Sequence, residues 1–206
     1  LNPDERRRVL EIIAHLNNKS KFKKIVDQAV KDPDRNIRSM VVNILVQLGD
    51  REMVVELLKL LNDPDKRVKA NVIEAVASLD KINSKSLVTL LIPFLKDVNN
   101  RIRANAVMSL YSLGYLEASD EISVMMKDSS EFMRASAVYC VGKLKLSEMA
   151  DFMFEHKSDS SPIVRKNLVR TFKKLDHDSY LAYFLNDSAL EIRTLAKELS
   201  SQKGGV

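Results

Sequence analysis

One short pattern recurs six times and restricts this chain to a repeat architecture. An Asp is followed six positions later by Arg or Lys, and an apolar residue directly precedes the basic one. The six pairs are Asp32/Arg38, Asp63/Lys69, Asp97/Arg103, Asp128/Arg134, Asp159/Arg165 and Asp187/Arg193. Successive copies lie 31, 34, 31, 31 and 28 residues apart. Units of this size cannot bury their apolar faces alone, so the period predicts a stack of neighbouring units.

Each unit contains two helical patterns. In the second half, Ile37, Val41, Leu45 and Leu48 follow a spacing of three or four, which is typical of one helix face. The residues two positions after each Asp are expected to cap these helices, with Ala189 breaking the column: Asp34, Asp65, Asn99, Ser130 and Ser161. The first half carries a second apolar stripe, for example at 54–61.

Turn-forming residues lie between and within these patterns. Gly49 and Gly114 are expected to terminate helices, Pro162 to occupy a first helical position, and Pro93 to kink a helix near its end. With only 5 Gly and 5 Pro in 206 residues, an all-β fold is disfavoured. The expected fold is all-α, an α-α superhelix (α-solenoid) of stacked antiparallel helix pairs. We expect one solenoid over residues 1–202, with a truncated first repeat at 1–17, about six helix pairs, and a flexible tail at 203–206.

The residues at 32–41, Asp-Pro-Asp-x-x-Ile-Arg-x-x-Val, and those at 63–72 resemble HEAT repeats. The short period and the run at 101–107 are similar to the phycobilisome-lyase-like subgroup. This resemblance implies a curved stack with first helices on the convex side and second helices on the concave side. It also implies that the repeated Asp binds turn N–H groups and the repeated Arg bridges neighbouring repeats. Lys69 lacks the guanidinium fork, so its junction is expected to be weaker.

The chain lacks the usual signs of catalysis. His15, His156 and His177 have no metal-binding spacing, and no His-Glu pair of the kind used by HEAT-type deoxyhypusine hydroxylases occurs. The absence of Trp disfavours a HEAT-like DNA glycosylase. The single cysteine, Cys140, falls in a core column and is interpreted as a packing residue. We therefore expect no catalytic residue, cofactor or metal, although a bilin lyase remains an alternative.

The exposed stripe of the second helices is the expected binding surface. It begins one residue before each core column and comprises 36-40-43-47, 67-71-74-78, 101-105-108-112, 132-136-139-143 and 163-167-170-174. Apolar side chains interrupt it where solvent should favour charge, which indicates a contact site. The expected partner-binding residues are Arg67, Asn71, Arg101, Asn105, Met108, Phe132, Tyr139, Asn167, Arg170 and Lys174. Alternatively, Phe132 and Tyr139 are tucked between repeats.

The expected partner is a protein or peptide, and an acidic one suits the basic stretch 165–174. A nucleic-acid-binding array is a less favoured alternative, because residues 32–164 contain 17 basic and 19 acidic residues, a net charge of −2. The basic run Lys19–Lys24 is interpreted as a solvated surface. No apolar run reaches the roughly 20 residues of a membrane span, and a cytoplasmic location is expected. Because the first residue is Leu1 rather than Met, a preceding segment is also expected.

Overall fold

The computed structural model describes residues 1–15, 19–48, 51–78 and 84–202. This part of the chain forms thirteen α-helices, joined by turns and short 3₁₀ segments. They are α1 (Pro3–His15), α2 (Lys19–Ala29), α3 (Arg35–Leu48), α4 (Arg51–Lys59), α5 (Lys66–Val76), α6 (Ser84–Leu91), α7 (Asn100–Ser112), α8 (Asp120–Met126), α9 (Glu131–Leu144), α10 (Ala150–Glu155), α11 (Pro162–Lys174), α12 (Asp178–Phe184) and α13 (Leu190–Ser201). The all-α repeat fold expected from the sequence is therefore confirmed.

The helices divide into two alternating sets. The odd-numbered helices carry the repeated basic residue and are called second helices, and the even-numbered ones are called first helices. The chain forms two compact units, Leu1–Tyr115 and Leu116–Val206. In the first unit α3 packs on α5 and α5 on α7, while in the second unit α9 packs on α11 and α11 on α13. Second helices of successive repeats therefore lie side by side within each unit.

Each unit has its own apolar core. In the first unit, the fully buried side chains include Val41, Leu57, Val72, Ile73, Leu91 and Leu110. In the second, they include Ile122, Met125, Val138, Leu168, Phe172, Leu181 and Phe184. Both first and second helices contribute to these sets, so each helix pair closes over the apolar face of its neighbour.

The repeated Asp organises the turn that precedes the second helix of its repeat. Its carboxylate accepts the N–H of the residue two positions later at 2.7–2.8 Å, in all six copies. Asp65, Asn99 and Ser161 then accept N–H groups from the first turn of their helices. Ser130 occupies the same N-cap position, but its side chain makes no capping hydrogen bond, so that expected bond was wrong. Ala189 begins α13 without a side-chain cap.

Two prolines and one glycine lie at or near helix ends, where the sequence predicted them. Pro162 is the first residue of α11, and Pro93 lies in a 3₁₀ segment, Ile92–Lys96, that continues directly from α6. Gly114 follows α7 with φ of +91°, a conformation that costs glycine little. Gly49 and the tail 203–206 lie outside the described residues.

Candidate functional site

Within each unit, arginines of the second helices pair with the repeated Asp of the next repeat, and Arg6 of α1 occupies the same position as the repeated basic residue. Four arginines make this contact through Nε and Nη2, one to each carboxylate oxygen. The Nε distances are 2.6 Å for Arg6–Asp32, 2.7 Å for Arg38–Asp63, 2.8 Å for Arg134–Asp159 and 2.8 Å for Arg165–Asp187. The second bond is 2.9 Å in every pair. Such forked pairs are specific to arginine.

The same guanidinium also binds back to its own turn. Nη1 of Arg38 donates to the carbonyl oxygen of Asp32 at 2.7 Å, and Nη1 of Arg134 donates to that of Asp128 at 2.9 Å. Each arginine therefore connects two consecutive turns. Lys69 forms no ion pair with Asp97, although the structure describes both residues. A single ammonium group cannot reproduce the fork of an arginine.

Two members of this series lie in different units. Arg103 belongs to the first compact unit and Asp128 to the second. At the end of the series, Nη1 of Arg193 donates to the carbonyl oxygens of Asp187 and Ser188 at 2.6 and 2.9 Å.

These ion pairs shift the acidity of the carboxylates. The hydrogen bonds from Arg165 lower the pKa of Asp187, an effect that exceeds the opposing effect of burial. Burial alone would raise the pKa of Asp159, but the hydrogen bonds from Arg134 and from the Ser161 N–H outweigh it and lower that pKa. Carboxylates held in their charged form by fixed partners are poor general acids or bases, and their positions suit a structural role.

In the first unit, the expected binding residues differ in their accessibility. Arg67 and Arg101 are exposed, whereas Asn71 and Met108 are half-buried. Nη2 of Arg101 donates to Asn71 Oδ1 at 2.7 Å, so these side chains are held together across two repeats. Asn105 is only 6% exposed.

The burial of Asn105 follows from its hydrogen bonds. Its Nδ2 donates to the carbonyl oxygen of Ala70 at 2.9 Å and to Glu74 Oε2 at 3.3 Å. The helical stripe placed Asn105 among the exposed residues, but its amide is turned to the neighbouring helix. It therefore lies outside the accessible surface, and the expectation of a solvent-facing Asn105 is corrected.

In the second unit, eight stripe residues form a surface on α9 and α11, which we call the α9–α11 surface. They are Phe132, Ser136, Tyr139, Lys143, Ile163, Asn167, Arg170 and Lys174. Phe132 and Tyr139 are 56% and 52% exposed, so neither is tucked between repeats. Ile163, Arg170 and Lys174 are also exposed, whereas Asn167 is half-buried.

Two hydrogen bonds set the register of the two helices. Asn167 Nδ2 donates to the carbonyl oxygen of Ala135 at 3.0 Å, and Thr171 Oγ1 donates to that of Val138 at 3.2 Å. Gly142 allows this close approach, because a Cβ atom there would lie 2.8 Å from Thr171 Oγ1. Equivalent positions of the two helices consequently lie side by side, and we call each such pair a row.

The two ends of the α9–α11 surface differ in chemistry. At the N-terminal end, an open groove is lined by Phe132 and Pro162 together with polar residues, which are Ser129, Ser130, Glu131, Arg134, Ser160 and Ser161. The exposed Ile163 follows Pro162 in the chain, so the apolar area at this end comes from Phe132 and Ile163. At the C-terminal end, a second groove of about 230 Å³ is lined by Tyr139, Gly142, Lys143, Asn167, Arg170, Thr171 and Lys174. Within the described chain, Lys143, Arg170 and Lys174 make no ion pair with an acidic side chain. These three cations are therefore available to a ligand.

Among the described side chains, Cys140, His156 and His177 are each held by packing contacts. Cys140 is fully buried, and burial raises the pKa of its thiol to about 12, so the nucleophilic thiolate is scarce at neutral pH. His156 lies edge-on to Phe152, and His177 stacks on Tyr180. The side chain of His15 lies outside the described residues. Where side chains are described, no three His, Cys, Asp or Glu residues form a group that could hold a metal ion.

An aromatic cluster between α10, α11 and α12 was not expected from the sequence. Phe154 stacks on Tyr180 with ring centres 4.3 Å apart and contacts Phe172 and Tyr183 at their edges. Lys157 Nζ lies 4.8 Å from the centre of the Phe154 ring. The Phe154 and Tyr180 rings pack against Phe172, which is fully buried, and we interpret the cluster as structural.

Within the described helices, none combines the length and the apolar character needed to cross a lipid bilayer.

This architecture matches that of a known protein family. Residues 1–77, 54–123 and 88–173 match the family model of HEAT repeats. Curated protein sequences give no match. Among solved structures, the chain resembles an engineered protein with a TM-score of 0.52 and 11% identity, over 85% of this chain and 93% of that one.

Two further structures are similar at low identity. A designed armadillo repeat protein in complex with the peptide (KR)4 has a TM-score of 0.50 at 14% identity, covering 93% of this chain and 98% of that one. Human deoxyhypusine hydroxylase has a TM-score of 0.45 at 13% identity, covering 93% and 87%. The resemblance to the phycobilisome-lyase-like subgroup stays a prediction, since the matching model describes HEAT repeats in general. The matched ranges cover most of the sequence, and the chain belongs to the HEAT repeat family.

Proposed function

We propose that this chain is a non-catalytic scaffold that binds a protein or peptide partner on the exposed faces of its second helices. The resemblance to HEAT repeats implies that these faces form the concave side of the stack. The observation that carries the proposal is the exposure of Phe132 and Tyr139, at 56% and 52%, beside Lys143, Arg170 and Lys174, which pair with no acidic side chain among the described residues. Exposed aromatic residues next to arginine are typical of the residues that dominate binding energy in protein interfaces.

Two further observations support a non-catalytic role. The repeated Asp and Arg side chains are used in ion pairs between turns, and the one thiol is buried with a raised pKa. The designed armadillo repeat protein of similar fold was solved with a bound peptide, which makes a peptide a reasonable kind of partner for a stack of this type. Its peptide is basic, whereas the α9–α11 surface is itself basic. We therefore propose an acidic partner here.

Affinity purification with matched variants tests the proposal. The intact protein, expressed in the cells it comes from, serves as bait in three forms: the natural sequence, Tyr139→Ala with Arg170→Glu, and Val124→Ala with Lys127→Glu as the control. The control changes an exposed apolar residue and an exposed lysine at a first helix. A partner lost only from the first variant supports the proposal, while a partner retained by all three baits contradicts it.

A purified partner allows a quantitative test. Phe132→Ala or Tyr139→Ala should weaken binding by about 1–3 kcal/mol, as expected for interface anchors. Their melting temperatures should remain close to that of the natural protein, because both side chains are exposed. A lowered melting temperature with unchanged affinity of the folded fraction would show a structural role instead.

A further inference from the structure

The α9–α11 surface has a direction, because its apolar and basic side chains occupy opposite ends. The rows at its N-terminal end hold Phe132 and Ile163, and the rows at its C-terminal end hold Lys143 and Lys174. Eleven residues separate the first and last rows, or about 16 Å along the helices at 1.5 Å per residue. An extended peptide covers that length with about five residues, at roughly 3.3 Å each.

The basic groove is suited to side chains rather than to a helix or a cofactor. Its volume of about 230 Å³ is below the range of about 300–1,000 Å³ that is common for small-molecule sites. The close contact between Gly142 and Thr171 keeps the two helices near each other here. A partner helix about 10 Å wide would not enter such a groove, whereas one or two acidic side chains of an extended segment would.

The charge of the stripe reverses on the next second helix. At the positions of α13 equivalent to Ile163 and Arg170, the chain has Glu191 and Glu198, and both are exposed. Glu191 accepts a hydrogen bond from Lys166 Nζ at 2.7 Å. A nucleic acid that crossed from α11 to α13 would bring its phosphates against these carboxylates. A short acidic cluster confined to α9 and α11 avoids this repulsion.

The position of the cations offers an anion charged side chains but no helix N-terminus. Lys143 and Lys174 lie in the last turns of their helices, where the backbone dipole is negative. Sites for phosphate commonly use the N–H groups of a helix N-terminus, and the basic end of this surface offers only C-termini. Exposed lysine and arginine side chains can still pair with carboxylates in a mobile peptide.

Resting on the proposed function, we infer that the α9–α11 surface binds an extended peptide segment that carries an apolar side chain and, about five residues away, a cluster of Asp or Glu. The apolar side chain lies against Phe132 and Ile163, and the carboxylates lie against Lys143, Arg170 and Lys174. The order of the two features along the peptide depends on its direction of binding.

Selection from a random twelve-residue peptide display library on the immobilised full chain tests this inference. We expect enrichment of peptides with an aromatic or aliphatic residue separated by four to six positions from two or more acidic residues. A synthetic copy of an enriched peptide is then titrated by fluorescence polarisation. Phe132→Ala and the pair Lys143→Glu with Lys174→Glu should each weaken binding at least about fivefold, and Lys127→Glu should leave it unchanged.

The outcomes separate this inference from the proposed function. Enriched peptides that lack the spacing but lose affinity in Tyr139→Ala would overturn the inference and retain the binding surface. Peptides unaffected by every α9–α11 variant, or no enrichment at all, would contradict both. A duplex DNA of 20 base pairs that binds more tightly than the peptides, and is lost in the lysine variant, would replace the peptide with a nucleic acid.

Discussion

Arg134 shows how one side chain holds a repeat junction together. It donates to both carboxylate oxygens of Asp159 and to the carbonyl oxygens of Asp128 and Ser129. Side-chain exposure is only 14% for Arg134 and 7% for Asp159. If one partner is removed, the other remains as a largely dehydrated charge, and this penalty exceeds the net value of the pair itself.

Removing Arg134 should therefore be more damaging than removing Arg193. We expect Arg134→Ala to lower the free energy of unfolding by about 3–5 kcal/mol, because Asp159 loses its partner. Arg193→Ala should cost less, about 1–2 kcal/mol, because it loses bonds to two carbonyl oxygens. Urea denaturation of the two variants measures both values, and equal losses would contradict a bridging role for the arginine series.

The lowered pKa of Asp187 predicts a loss of stability in acid. Because its pKa is lower in the folded than in the unfolded chain, where it is about 3.9, Asp187 contributes fully to stability above that pH. The contribution is lost as the pH falls through the lowered pKa. Asp187→Asn should be less stable at pH 7 and should depend less on pH between about 2 and 5. Denaturation curves over that range measure the slope, and parallel slopes for both proteins would contradict the expectation.

Among the elements, α9 and α11 pack extensively against each other. A small residue at Gly142 lets Thr171 approach the α9 backbone and donate to the Val138 carbonyl oxygen. The binding surface depends on this contact, since it brings Tyr139 and Lys143 alongside Arg170 and Lys174.

Gly142→Ala should destabilise the protein although alanine is the better helix former. Replacing glycine with alanine in a helix usually raises the free energy of unfolding by about 0.5–1 kcal/mol, but here the new Cβ atom would overlap Thr171 Oγ1. We expect a net loss of about 1–3 kcal/mol, as for other overpacked sites. In a Thr171→Ala background, the same change should be neutral or stabilising. If its effect is the same in both backgrounds, the contact is not the cause.

Helical periodicity predicted the repeat, the helix pairs and most buried columns, because burial of one face requires that spacing. It could not predict which hydrogen bonds form. Ser130 occupies the expected cap position without making the bond, and Asn105 turns from the exposed stripe towards Ala70. The charge on α13 was readable in the sequence, but its place beside α11, seen in the Lys166–Glu191 contact, depended on knowing how the two helices pack.

At the scale of the whole molecule, the chain separates into the units Leu1–Tyr115 and Leu116–Val206. The Asp and Arg spacing continues across Tyr115 without an obvious interruption, so the sequence pattern carries no sign of this division. In repeat proteins, stability depends mainly on contacts between neighbouring repeats. Local damage can therefore remain confined to one unit.

Core substitutions in the two units should have separable effects. Phe172→Ala should increase amide hydrogen exchange mainly within 116–202, because Phe172 is fully buried in the second unit. Leu57→Ala, which truncates a fully buried residue of the first unit, should do so mainly within 1–115. Mass spectrometry of exchanged peptides resolves the two ranges. Uniform acceleration over both ranges in either variant would show that the chain unfolds as one cooperative body.

The forked contact between consecutive turns also bears on how such a gene can lengthen. The copies at 32–38 and 159–165 each contribute an arginine to the following copy and receive one from the preceding copy. Tandem duplication of one complete copy therefore adds one donor and one acceptor together and leaves the existing bonds matched. A duplication that starts within a helix would also have to restore the cap and the core column. Lengthening by whole copies consequently needs the fewest additional mutations. Later substitutions on the exposed stripe can diversify what each copy recognises.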